Sequence, residues 1–319
     1  LTQVAAKGFL GKVYLTMAGF PLNDAAKKAE AQQLFKEVID YATAKNKYWM
    51  ADMDAWNQSW LHENDNKYAI FEIQYIAEAG QGNPMVTLTV PSNPGTDWCG
   101  NNLVTGTHVY IERGLQRHFI AKDEITGEYL DKRADGTLNL KETVDEDGNI
   151  VTSKGNTFYT KYFESKVKRA KFGKSDMDAT IVDRTYWPQN FQLLRIEDIM
   201  LLYAECVGNT TEGRELVNRI RRRAGLADLD INLSEEEFQK AVQDERRYEL
   251  AEEGVRWFDL VRRNEYVDTI KQMFIDDDDT ENGTYKQYAN RVNADMYLYP
   301  IPQSQIEVRK GLYTQNKGY

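Results

Sequence analysis

Apolar residues recur at helical spacing near both ends of this chain, and at strand spacing only in its middle. Between Ser234 and Arg263, Phe238, Val242, Leu250, Trp257 and Val261 form one seam, which predicts a long charged helix. Ser234 suits its N-cap, with Glu237 three residues on to complete a capping box. Gly254 predicts either a kink or the close approach of another backbone. Glu252/Arg256 and Asp259/Arg263 are each four apart, so the pattern predicts pairs along one face. At the other end, Thr2 caps a helix with the seam Ala6, Leu10, Val13, Tyr14 and Met17, which Gly19 and Pro21 terminate. Asn23 or Asp24 starts a second helix with Ala31, Leu34, Phe35 and Val38 inward. Two further helices at about 191–207 and 212–224 give another hairpin of the same size.

The spacing Leu10-Gly11-x-x-Tyr14, set against Ala31-x-x-x-Phe35, looks like a tetratricopeptide unit, in which small residues let two helices approach and aromatics fill the groove. In the middle, Lys67 to Tyr75 alternates with period two and predicts a strand, and Met85 to Val90 a second. Thr107 to Ile111 reads as a short strand, and Asp135-Gly136 and Asp147-Gly148 as hairpin turns on a ribbon over 137–150. Around Trp98 the chain is rich in Asn, Pro and Gly, the chemistry of turns, and a Trp in such a loop either plugs the core or presents a face to a ligand.

With 319 residues and 41% apolar composition there is ample material for a core. The net charge of -10 argues against a nucleic-acid surface, which needs a concentrated positive field. The dense basic run Arg219 to Arg223 falls at the end of a helical pattern, where cations suit the helix C-terminus and Gly225 can cap it. Cys99 and Cys206 lack the spacing of a zinc or redox motif. No apolar run approaches the roughly 20 residues a membrane span requires.

Catalytic constellations find little support. His62, His108 and His118 form no metal-ligand motif, and Ser92 and Ser153 lack a nucleophile-elbow context. Glu245, Glu249 and Glu253 have arginines rather than histidines beside them, which favours structural pairing over an acid/base or metal site. A glycosidase needs only two carboxylates and no motif, so that class stays open as the minor alternative. The Asp276 to Asp279 run invites calcium, but Gly283 is misplaced for the common loop; a solvated acidic loop with at most incidental calcium is expected, and no cofactor is required.

Four ordered blocks carry a resemblance: LLRIEDIMLLYAECVG at 193–208, VNRIRRRAGL at 217–226, DERRYELAEEGVRWFDLVRR at 244–263 and YLYPIPQSQIEVRKGLYTQNKGY at 297–319. Together they resemble the SusD/RagB family of outer-membrane nutrient-binding lipoproteins. The resemblance implies a mostly α fold, a tetratricopeptide-like hairpin scaffold over 1–45 and 190–275. It implies an irregular, partly β region over 46–189 bearing the ligand face, and a tail over 276–319 packed on the scaffold. By the resemblance, Arg195, Glu197 and Glu205 open and run through a structural tetratricopeptide helix, Glu245, Arg246, Glu249, Glu253, Arg256 and Asp259 match a buried or semi-buried polar framework, and Pro300, Pro302, Asn316 and Tyr319 the family's ending. A lipid-bearing cysteine and earlier helices have no counterpart, so the resemblance implies the C-terminal part of a longer member, anchored upstream on the external face of the outer membrane. It also implies capture of an oligosaccharide, or a peptide, for a SusC-like TonB-dependent transporter, with no catalysis.

Glycan capture sets the C–H face of a sugar ring on an aromatic plane while amide, carboxylate and guanidinium groups bond its hydroxyls. On that chemistry the expected contacts are Trp98, Asn101, Asn102 and Tyr110, with Trp56 and Trp60 sharing a face if their segment is helical; Trp49 is expected in the core. The competing class is a tetratricopeptide interaction module without glycan binding, using the faces around Tyr14 and Phe35.

Overall fold

The structure is a computed structural model that describes residues 2–78, 80–89, 111–139, 142–144, 150–152, 158–164, 166–174, 187–276, 284–309 and 311–319. The first hairpin consists of helices Gln3–Ala18 and Ala26–Lys45. Thr2 caps the first as expected, its hydroxyl accepting from Ala5 N. The second is entered without a side-chain cap, because Asn23 itself takes a left-handed backbone (φ 54°) in the connecting turn. The two helices meet at Gly11, where an added Cβ would stand 2.6 Å from the Phe35 ring; the glycine is what lets the ring lie against the backbone.

Helix Ile196–Val207 is the axis of the scaffold. It is enclosed by other elements: Ile196 through Glu205 are all buried, the acids Glu197, Asp198 and Glu205 among them. Ala26–Lys45 packs on one side of it and Thr211–Arg223 and Glu235–Glu249 on the other. Phe35, Val38, Ile199, Val217, Ile220, Phe238 and Val242 belong to this one core. Residues 191–195, read above as the start of the helix, form instead strand Phe191–Arg195, paired antiparallel with Ala69–Ile73 from Ala69↔Arg195 to Ile73↔Phe191. That ladder fastens the chain's middle to the scaffold.

Three expectations in the middle and C-terminal parts are corrected. Met85–Thr89 is a short helix rather than a strand, its alternation too brief to separate the two periods. Asp135-Gly136 lies within the helical turn Ala134–Thr137 rather than in a hairpin turn, because Gly136 packs against Trp56, 2.3 Å from where a Cβ would sit. The long helix from Ser234 is two: Glu235–Glu249, started by the expected capping box, and Arg256–Arg262. Between them Glu252 (φ 71°) and Gly254 (φ 73°) both adopt left-handed backbone, which no continuing helix admits. The ribbon expected over 137–150 is two short antiparallel pairs, Leu138–Asn139 with Phe158–Tyr159 and Glu142–Val144 with Ile150–Thr152. Residues 107–110 and Asp147-Gly148 lie outside the described residues.

Candidate functional site

The chemistry that the described residues concentrate is a buried ionic network centred on Glu249. This side chain is wholly buried at the last turn of Glu235–Glu249. Its Oε1 accepts from Arg195 Nη1 (2.9 Å), Arg223 Nη2 (2.7 Å) and Trp56 Nε1 (3.2 Å), and its Oε2 from Arg133 Nη1 (2.9 Å). Three guanidinium groups hold the Glu249 carboxyl well below the ordinary carboxylate range, against burial, which pushes the other way. Each arginine reaches a second acid: Arg133 donates to Glu245 (2.7 Å) and Asp131, Arg223 to Glu197 (2.6 Å), and Arg195 to Glu197 (2.9 Å) and to both oxygens of Glu253 (2.8 Å each). Lys161, fully buried, donates to the Glu249 carbonyl (2.7 Å) and to Glu253 (2.8 Å).

A second, smaller network is anchored one turn earlier on the same helix, at Arg246. Arg246 grips Asp259 with Nε and Nη2 (2.8 and 3.1 Å) and Asp198 with Nη1 (2.8 Å), while Arg262 pairs with Glu205 and Asp259. Burial pushes the Glu205 carboxyl up, but Arg262 foremost, then Arg263, outweighs it and lowers the group to about 2. Arg256 sits half-buried at the start of its helix beside Asp259. The two in-helix pairs expected from sequence do not form. Asp259 turns to Arg246 and Arg262, Arg263 to Glu205 and Glu265, and Glu252 faces the Lys161 amide across the break.

The aromatic residues divide. Trp56 and Trp60 do share a face of Met53–Ser59 and its cap, with rings 5.8 Å apart, but both are buried, so neither presents a plane to a sugar. Trp60 instead lies under Lys161 and Arg195, whose cations sit 5.0 and 5.3 Å from its ring centre. The correction has a physical cause: the indole N–H of Trp56 is needed by Glu249, and the two rings wall off the network from water. Trp49 is half-buried against the core with Arg219 and Arg223 over its ring, at 4.5 and 5.1 Å. Trp98, Asn101, Asn102 and Tyr110 lie outside the described residues, as do His108, Cys99 and 277–279 of the acidic run.

His62 is half-buried with its amide donating to Glu164, and His118 Nε2 lies 2.8 Å from Asp131 with its ring stacked on Tyr248. Cys206 is partly buried, and burial pushes its thiol up to about 12. Among the described residues no cluster of three or more His, Cys, Asp and Glu is arranged to hold a metal ion, and no helix is long and apolar enough to cross a membrane. Sequence reasoning missed Arg133 and Lys161, which lie about a hundred residues from their partners and stand in no motif, and read Arg223 only as a helix-end cation.

The family model for SusD matches residues 41–319, nearly the whole of this architecture. The chain belongs to the SusD family. A SusD-like protein of Formosa agariphila, P38, is 34% identical over 118 residues, which cover 34% of this chain and 22% of that protein. A SusD homolog from Bacteroides thetaiotaomicron superposes with a TM-score of 0.74 at 20% identity, over all of this chain and 64% of that one. Surface glycan-binding protein A from Bacteroides thetaiotaomicron, in complex with laminarihexaose, does so with a TM-score of 0.67 at 18% identity, over 99% of this chain and 64% of that one. At these identities the likeness establishes the SusD-like fold, mostly helical with a small irregular β region. The chain spans less than two thirds of each of these proteins.

Proposed function

We propose that the protein captures an oligosaccharide at the outer-membrane surface and hands it on unchanged to a TonB-dependent transporter of the SusC type. Family membership across 41–319 is the observation that carries this reading. The ionic networks serve it as scaffold: their carboxylates are neutralised by buried arginines, which suits a framework rather than acid/base work by these groups. With Trp56 and Trp60 buried, Trp98, Asn101, Asn102 and Tyr110 are the proposed ligand contacts, on the sequence chemistry of an aromatic flanked by amides. The external face of the outer membrane, reached through an upstream lipid anchor, is the location the reading requires.

The deciding experiment is a glycan panel that includes laminarin oligosaccharides, followed by calorimetry on the unsubstituted protein and Trp98→Ala. Lost affinity at unchanged stability is expected; unchanged affinity removes Trp98 from the site, and product formed on long incubation overturns capture without catalysis. A peptide-docking module is the second reading, favoured by an apolar cavity of about 350 Å³ between Gln3–Ala18 and Arg256–Arg262, lined by Phe9, Val13, Met17, Leu202 and Phe258. A panel without a glycan hit, and no co-purification of the full-length protein with its transporter, would favour it.

A further inference from the structure

Helix Gln3–Ala18 is apolar on two faces. Val4, Gly8, Gly11 and Leu15 make one stripe, and it is buried. An added Cβ at Gly8 would meet Leu194 and Ile199, and one at Gly11 the Phe35 ring, so along this stripe the helix closes on its hairpin partner and the scaffold. Ala6, Leu10, Val13 and Met17, the seam that periodicity picks out, make the other stripe, two residues on at every step and therefore about 200° round the helix. This seam points away from the core: Ala6 is exposed, Leu10 is 41% and Val13 52% exposed, and Met17 is half-buried. A helix apolar on opposite sides belongs between two neighbours, and among the described residues only one side is filled.

The outward seam continues across the apolar cavity. Val13 and Met17 form one wall of it, and Phe258, 65% exposed, stands on the other. The charged groups that line it are already paired: Lys12 with Asp198, Arg246 with Asp198 and Asp259, and Arg262 with Glu205 and Asp259. The cavity thus calls for apolar side chains and no counter-charge. The seam's steps of four, three and four residues are those of helices packed side by side, knob into hole, whereas an extended peptide repeats with period two. In a stack of helical hairpins the terminal unit keeps a polar outer face. Gln3–Ala18 does not, so its hairpin has the character of an internal unit.

We infer that the seam Ala6, Leu10, Val13 and Met17, with Phe258, is the docking surface for a further α-helix of the same polypeptide, lying outside residues 1–319. This chain accounts for 64% of each of the two superposed SusD-like structures, so a protein of their length has ample chain for that helix. Its contact face carries apolar residues at matching three- and four-residue steps, and the cavity between Gln3–Ala18 and Arg256–Arg262 receives one of its large side chains. The inference is independent of the glycan reading, and it takes this cavity away from the peptide-docking reading.

Alkylation of Val13→Cys in the full-length protein tests the cover, read by mass on the peptide that carries it so that Cys99 and Cys206 do not enter. The thiol is expected to react at least about thirtyfold more slowly in the native protein than in the protein unfolded by guanidinium, and a smaller difference overturns the inference. Photo-leucine incorporated in place of leucine identifies what lies on the seam. A crosslink from Leu10 to a residue of the same polypeptide outside 1–319 is expected; one to a second copy, to the transporter or to any other protein overturns the inference. Hydroxyl-radical oxidation of the unsubstituted full-length protein decides the matter even if Val13→Cys fails to fold. Phe258 is expected to be oxidised at least about tenfold more slowly than in a synthetic peptide spanning 254–263, and a smaller difference means an open surface and overturns the inference.

Discussion

Replacing Glu249 by Gln removes one negative charge from the point where three guanidinium groups meet, while keeping size and shape. The carboxylate accepts four hydrogen bonds, from Arg133, Arg195, Arg223 and Trp56. The amide keeps one oxygen, and its NH2 must point at a cation that also donates, so at least one donor faces another donor. No arginine is wholly deserted, since Arg133 retains Asp131 and Glu245, Arg195 retains Glu197 and Glu253, and Arg223 retains Glu197. Breaking a buried pair by removing one partner costs about 3–5 kcal/mol, and the remaining acids hold the expected loss within that range. Against a total of about 5–15 kcal/mol for a folded domain this is a large fraction. Urea unfolding monitored by circular dichroism measures it, the slope staying constant if the native state alone is affected. A loss below about 1 kcal/mol would refute the reasoning, because it would mean that water reaches Glu249 and already satisfies the arginines.

Two further substitutions probe other links of the scaffold. Arg246→Ala is expected to destabilise by about 2–4 kcal/mol in the same assay, somewhat less than a deserted pair, because Asp198 keeps Lys12 and Asp259 keeps Arg262; a change below about 0.5 kcal/mol would show an exposed pair. Gly11→Ala should cost about 1–3 kcal/mol by driving a methyl group into the Phe35 ring, and thermal unfolding should show the variant unfolding at lower temperature; an unchanged midpoint would mean the two helices are free to separate.

Local chemistry made the helical scaffold legible in the sequence. Thr2 and the Ser234/Glu237 capping box start helices where the pattern says, since a cap and its partner lie within one turn. The seam residues Phe238 and Val242 enter the core because helical periodicity alone puts them on one face. Strand Ala69–Ile73 was readable for the same reason, its alternation being a property of neighbouring residues. The family blocks likewise pointed to Arg195, Glu245, Glu249 and Glu253 as framework, and the structure places all four in one network.

What only the tertiary structure decided is which charges meet and which aromatics are hidden. Four-residue spacing offered Glu252 to Arg256 and Asp259 to Arg263, but the helix breaks between Leu250 and Val255, so Glu252 turns to a chain segment some ninety residues earlier. Arg133 and Lys161 carry no signal of their role, because a buried carboxylate selects its cation by distance in space and not by distance along the chain. From their spacing Trp56 and Trp60 were expected among the ligand contacts. Only the fold, by closing Lys161 and Arg195 over one ring and giving Glu249 the indole N–H of the other, makes them the wall that keeps water from a network whose strength depends on its absence.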